Sequence, residues 1–308
     1  MDMKLSVFTV AVPDLNAAEL ASAAAAAGIE GIEWRFRGIP EDALSEQPSF
    51  WRNNRCSIDP DRWQEQVPAF REAAAMHGRK SIALVPYLSC GDLPAAEQAF
   101  QAASKLGASM MRVGVPGYDR TTAYPELYTK AVRYLNEVQD MAKQYSIKAV
   151  VETHHQTIAP TASLAHRLVQ SLDPEHVGVL YDPGNMVHEG YENHRMGLEL
   201  LGPYLAHVHV KNAGWYVKEA GNTPDRAASS PSSGSELPLS TSWQCHWAPL
   251  TEGMVDWVQM VRDLRAVGYD GYYGIEDFSG VLQSKVMLQH FADVFAAIER
   301  RINEEEQA

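Results

Sequence analysis

The sequence predicts a single (β/α)₈ TIM barrel spanning residues 1–308, with long loops after its second and seventh strands. Short β-branched or aliphatic runs alternate with helix-period segments from end to end, the mark of a parallel sheet built from βα units. Eight such units fit into 308 residues, a length that suits a barrel of ~250 residues with insertions. Glycine stands just past a helix and immediately before a strand in AAAAAGIEGIEW, SKLGASMMRV and RAVGYDGYYGIE, the expected chemistry of an αβ turn. The count of eight favours a closed barrel over an open, doubly wound sheet.

Taken in order, the strands are expected at Lys4 to Val10, Gly31 to Arg35, Lys80 to Val85, Ser109 to Val113, Lys148 to Glu152, Val177 to Tyr181, Leu205 to Val210 and Gly271 to Glu276. Each is apolar through its middle, as a strand covered on both faces must be. Helical periodicity marks Asn16 to Ala27, Leu93 to Leu106, Tyr124 to Tyr145, Val255 to Val267 and Ser284 to Asn303. Two stretches break the rhythm. Gly38 to Asp61 is loop-like and carries SFWRNNRC; Asn212 to Glu252 is rich in Ser, Pro and Gly, with Trp215, Trp243, His246 and Trp247 near its ends. Both follow strands, so in a barrel they lie on the face where active sites are built.

Bulk properties remove several function classes. The chain has 39 acidic and 26 basic residues, a net charge of −13, which repels nucleic acid and anionic membranes. No apolar run approaches the ~20 residues of a membrane span. Cys56, Cys90 and Cys245 are far apart and form no CxxC pair, so neither a zinc knuckle nor a disulfide framework is expected. The first residues read as a strand and a turn rather than a signal peptide. A cytoplasmic protein is the expectation.

The chemistry lies at the strand ends. The fifth strand, IKAVVETHH, ends in Glu152 followed by His154 and His155; the sixth, VGVLYDPGN, ends in Asp182 followed by Asn185. The seventh, AHVHVKN, carries His207 and His209 with Lys211 beyond, and the eighth, YYGIEDF, ends in Glu276. Residues two apart on a strand share a face, so His207, His209 and Lys211 point the same way and geometry leaves the ligating histidine open. Three carboxylates buried together without a cation would repel strongly. One divalent metal is therefore expected, and a carboxylate-rich site with one imidazole suits Mn²⁺, Mg²⁺ or Co²⁺, with Zn²⁺ as the alternative. His154, His155, His188 and Lys211 are candidates for substrate contact or for support of the ligands. Trp51 and Arg112 join the candidate substrate contacts, and Arg52, Arg55, Arg112 and Lys211 are the candidates for holding a phosphate or carboxylate. Asp277 and His246 read as structural or solvent-facing.

VVETHH, LYDPGN, HVHVKN and the closing PLTEGMVDW…LRAVGYDGYYGIEDF resemble the sugar phosphate isomerase/epimerase family of xylose-isomerase-like TIM barrels, over essentially the whole chain and most strongly from Ile147 onward. The resemblance implies metal ligation by Glu152, Asp182, His209 and Glu276. In the epimerase branch Glu152 and Glu276 would also be the catalytic acid/base pair, and His154 and His207 would contact substrate or orient ligands. Ketose epimerases of this kind place a histidine three residues after the sixth-strand aspartate, where this chain has Asn185, with His188 three further on. Dimers or tetramers are common in the family, which leaves a homo-oligomer open.

The expected function is a divalent-metal-dependent sugar or sugar-derivative isomerase or epimerase, acting on a small carbohydrate by proton transfer through a metal-stabilised enediolate. The alternative on the same site is a lyase or dehydratase acting on a keto-sugar, keto-glycoside or inosose. A DNA-repair endonuclease is disfavoured by the charge and by the absence of histidines at the ends of strands three and four; a non-catalytic sugar-binding barrel is disfavoured by the complete ligand set.

Overall fold

In the computed structural model, which describes residues 3–217 and 243–307, the predicted barrel closes. Strands β1 (Lys4–Phe8), β2 (Gly31–Phe36), β3 (Ser57–Ile58), β4 (Lys80–Pro86), β5 (Met110–Val113), β6 (Lys148–Glu152), β7 (Val177–Tyr181), β8 (Leu205–Val210), β9 (Asn212–Val217), β10 (Trp243–Ala248) and β11 (Tyr272–Ile275) occur in that order. Eight of them pair in parallel in the order β1-β11-β8-β7-β6-β5-β4-β2, and β2 returns to β1. The helices around them are α1 (Ala17–Ala26), α2 (Trp63–Met76), α3 (Leu93–Leu106), α4 (Tyr124–Tyr145), α5 (Ala162–Val169), α6 (Pro183–Glu189), α7 (His194–Leu201), α8 (Trp257–Ala266) and α9 (Ser284–Gln307). No helix among the described residues is long and apolar enough to cross a membrane.

Strand parity builds the site. In β6, Ala149 and Val151 join the large core between strands and helices, so Val150 and Glu152 face the barrel axis. The same alternation sends Val179 and Tyr181 of β7, Val208 and Val210 of β8, and Tyr273 and Ile275 of β11 outward. Asp182, His207, His209, Lys211 and Glu276 therefore fall on the inward parity, at the C-terminal ends of four neighbouring strands.

Helix ends fix the neighbouring loops. Asn16 caps α1 with a complete capping box to Glu19, and Gly107 closes α3 at a positive φ of 81°, a conformation natural to glycine. DPGN looks like a turn, yet it opens α6: the Asp182 carboxylate accepts from the Asn185 amide at 2.8 Å, with proline in the first turn. A metal-ligand candidate is thus also an N-cap.

Both expected loops contain more order than the sequence suggests. Gly38 to Asp61 includes a 3-10 turn at Glu41–Ala43 and β3, which pairs with β2. The described ends of Asn212 to Glu252 are not loop but an antiparallel ribbon, with Trp247 opposite Ala213 and Trp243 opposite Val217; residues 218–242 of that stretch lie outside the described residues. The first strand stops at Phe8 and continues as a 3-10 turn, Thr9–Ala11.

Candidate metal centre

At the mouth of the barrel lies a cavity of about 540 Å³ whose lining includes Trp51, Tyr87, Arg112, Glu152, His154, His155, Asn185, Lys211, Trp247, Glu276 and Phe278. Beneath it Glu152, Asp182, His209 and Glu276 converge, all buried, with one donor atom from each lying within 4.8 Å of the others. His209 Nδ1 is 3.6 Å from Glu152, 3.8 Å from Asp182 and 3.6 Å from Glu276, and it has no hydrogen-bond partner. A fully buried ring nitrogen without a partner, faced by three carboxylates, fits a bound cation. Three hard oxygen donors and one imidazole match a divalent ion.

The remaining charges balance this centre. Arg112 donates to Glu152 at 2.7 Å. The Lys211 ammonium lies 2.8 Å from Asp182 and also contacts Glu276. The Asn185 amide donates to Asp182 at 2.9 Å and to Glu152 at 3.1 Å. Burial opposes charge on every carboxylate, but Arg112 holds Glu152 well below the ordinary range and Lys211 lowers Glu276. Asp182 goes the other way: burial, aided by the charges of Glu276 and Glu152, pushes it up to about 6 despite Lys211. Burial also disfavours charge on His209, but Glu33, Glu152 and Glu276 together raise it well above the usual histidine range.

Glu33 escaped the sequence reading. It lies on β2, fully buried, and its carboxylate accepts from Ser6 at 2.8 Å and bonds His209 Nε2 at 2.9 Å. By occupying Nε2 it turns Nδ1 toward the three carboxylates. His207 Nε2 lies 3.0 Å from the other Glu33 oxygen, and the two histidines hold Glu33 far below the usual carboxylate range against the effect of burial. The sequence carried one signal: a carboxylate in the middle of GIEWRF, a strand buried at all six positions, must have a buried partner.

The structure sorts the other predicted residues. His154, Asn185, Lys211, Arg112 and Trp51 line the cavity. His188 does not line it, but stacks on His155 with ring centroids 4.1 Å apart. His207, expected to contact substrate or to orient ligands, is 1% exposed, does not line the cavity and lies against Glu33, which leaves the orienting role. Arg52 is likewise removed from anion binding at the site, being tied outward to Asp42 and Glu46, and Arg55 reaches Asp14 and Glu19 instead. Burial, with Lys211 and neighbouring imidazoles, lowers His155 to about 3 and His188 to about 4, so both rings are neutral near pH 7.

Comparison with known proteins identifies the barrel's family. Residues 21–295 match the family model described as xylose isomerase-like TIM barrel. A curated relative, inosose dehydratase of Geobacillus thermodenitrificans (strain NG80-2), is 26% identical over 142 residues, which span 46% of this chain and 44% of that protein. The solved 3-keto-D-glucoside 4-epimerase of E. coli superposes with a TM-score of 0.65 at 16% identity, covering 97% of this chain and 100% of the other. A xylose isomerase-like TIM barrel protein of Mycobacterium smegmatis, in complex with magnesium, gives a TM-score of 0.61 at 16% identity over 96% and 97% of the two chains. At such identity the two structural likenesses show the fold alone. The family model covers most of the sequence, and with the closed barrel it shows that the chain belongs to the xylose isomerase-like TIM barrel family.

Proposed function

We propose that the protein is a divalent-metal-dependent isomerase or epimerase of a sugar or sugar derivative, moving a proton at a carbon next to a carbonyl. One observation carries this reading. Of the four convergent donors, Glu152 and Glu276 line the cavity while Asp182 and His209 do not, so two carboxylates of the centre are presented to a substrate.

Glu152, Asp182, His209 and Glu276 would hold the cation, which when bound would supply Lewis-acid stabilisation of the negative charge that builds on the carbonyl oxygen. The protein groups do the rest. Glu152, kept ionised by Arg112, is suited to accept the proton. Glu276, held by Lys211, is the partner that delivers or removes one on the other side. Delivery to the opposite face of the same carbon gives epimerisation, and delivery to the neighbouring carbon gives isomerisation. Mn²⁺, Mg²⁺ or Co²⁺ suit the oxygen-rich donor set, with Zn²⁺ the alternative.

A lyase or dehydratase on the same floor is the second reading. It differs in where the electron pair goes, expelling a β-hydroxyl. His154 and His155 favour it, as two imidazoles on the cavity wall that can hydrogen-bond a departing oxygen. The similarity to inosose dehydratase points the same way.

The test is hydrogen exchange. In D₂O with Mn²⁺, ketoses and keto-glycosides should gain deuterium next to the carbonyl, seen by NMR. Glu152→Gln should slow exchange by about 10²-fold or more, the usual scale for a positioned acid or base; near-normal exchange in that variant would sink the assignment.

A further inference from the structure

Six aromatic rings form a continuous row along the cavity. Trp51 meets Phe278 with centroids 4.9 Å apart, and Phe278 meets Trp247 at 5.7 Å. Trp247 contacts His188 at 4.7 Å, His188 stacks on His155 at 4.1 Å, and His155 stacks on His154 at 4.4 Å. The row starts two residues beyond Glu152 and ends at Trp51, which is 47% exposed. Its members come from five separate segments that follow barrel strands, and five of the six line the cavity.

The floor beside the row is polar, with Glu152, Glu276 and Lys211. The Lys211 ammonium lies 5.0 Å from both the Trp247 and the Phe278 rings, which ties floor and wall together. A pyranose stacks on one or two aromatic rings, and this wall offers five. A cavity of about 540 Å³ is in the range that takes ligands larger than one sugar.

We propose that the substrate is a glycoside: a sugar ring on the polar floor joined to a second ring, aryl or sugar, that lies along the aromatic row. The inference rests on the proton-transfer reading above, and it has a chemical consequence. A glycosidic bond locks the sugar in its ring form, so no open-chain carbonyl is available. The carbonyl that acidifies the C–H must then be a ring ketone. An oxidation of a ring secondary alcohol, in which a hydride passes to a nicotinamide or flavin acceptor on another enzyme and the hydroxyl proton to a base there, must supply this substrate.

The experiment separates binding from turnover. Phenyl β-D-glucopyranoside and methyl β-D-glucopyranoside carry no ketone and cannot react, so their affinities for the Mn²⁺-loaded protein are read by saturation-transfer NMR and calorimetry. The phenyl glycoside should bind about tenfold more tightly. Trp51→Ala, at a half-exposed position, should remove most of that preference and leave the methyl glycoside unchanged. Equal affinities, or binding of neither, would overturn the proposal, as would tighter binding of D-fructose than of the phenyl glycoside. In a second arm the ring-ketone forms of both glycosides are assayed for deuterium exchange. A retained phenyl preference without exchange would overturn the proton-transfer reading and leave the glycoside site standing.

Discussion

Glu33 has three partners, Ser6, His207 and His209, and no solvent. Because it occupies His209 Nε2, it decides which ring nitrogen can serve a cation, and its charge raises the basicity of that ligand. Glu33→Gln keeps the shape and removes the charge. The expected outcome is a Mn²⁺ affinity weakened roughly 10- to 100-fold with the barrel still folded, measured by calorimetry and circular dichroism; an unchanged affinity would reduce Glu33 to a packing role. His209 carries a second prediction. Glu33, Glu152 and Glu276 raise its pKa well above the usual histidine range and so favour a proton on the metal-free ring, and ligation through Nδ1 requires that proton to leave. Metal uptake should therefore release about one proton per site, read from the dependence of calorimetric heat on buffer ionisation enthalpy. The sign for Asp182 is the same: with its pKa pushed up to about 6, acidification below that value adds a proton that competes with the cation, so affinity should fall as pH drops through 6.

At the scale of elements, Asn212 clasps the ribbon that carries Trp247. Its amide donates to the carbonyls of Leu250 and Val255 at 2.8 and 3.0 Å, and its oxygen accepts from the amides of Ala213 and Val255 at 3.0 and 2.9 Å. Asn212→Ala strands these backbone groups in a buried position, and a loss of about 2–3 kcal/mol is expected from urea unfolding. Trp215 adds a second tie, its indole N–H donating to Val187 of α6 at 2.8 Å. The ribbon was hidden in the sequence because its strands are joined through residues 218–242, too far for the local turn signals that announce a hairpin. By contrast β6, β7 and β8 were legible to the residue, since each is a short buried run ended by a polar group. Among the helices, α3 and α4 stood out by length and periodicity, whereas α5, α6 and α7 are only about two turns long and α6 begins within the turn-like DPGN. Glu152, Asp182 and Glu276 were readable because each ends a strand or sits just past its end, whereas strand parity left His207 and His209 open and only the family resemblance singled out His209; Glu33 was not readable, because its meaning depends on β8 across the barrel, 176 residues from His209. Gly274 shows the same tertiary logic: a Cβ there would meet Glu33 Oε1 at 2.2 Å and His207 Nε2 at 3.1 Å. Only a glycine in β11 leaves space for the carboxylate that orients His209.

For the whole molecule, the candidate ligands come from β6, β7, β8 and β11, four strands adjacent in the barrel order, and none comes from β1, β2, β4 or β5. A cation bound there ties one half of the closed sheet to itself, and without it that half holds Glu152, Asp182 and Glu276 against one another with Arg112, Lys211 and a charged His209 as compensation. Unfolding separates the ligands, so binding to the folded chain alone stabilises it by about 2.7 kcal/mol at a free concentration 100 times the dissociation constant. For a chain of this size that corresponds to a rise in Tm on the order of 5 °C. Amide exchange gives the prediction its spatial content. Addition of Mn²⁺ to chelator-treated protein should slow exchange in β6, β7, β8 and β11 and in α6, whose N-cap is Asp182, while β2, β4 and β5 respond only through global stability. Uniform protection across all eight strands would mean that the barrel opens only as one unit, and no protection with a bound cation would place the ion somewhere other than this tetrad.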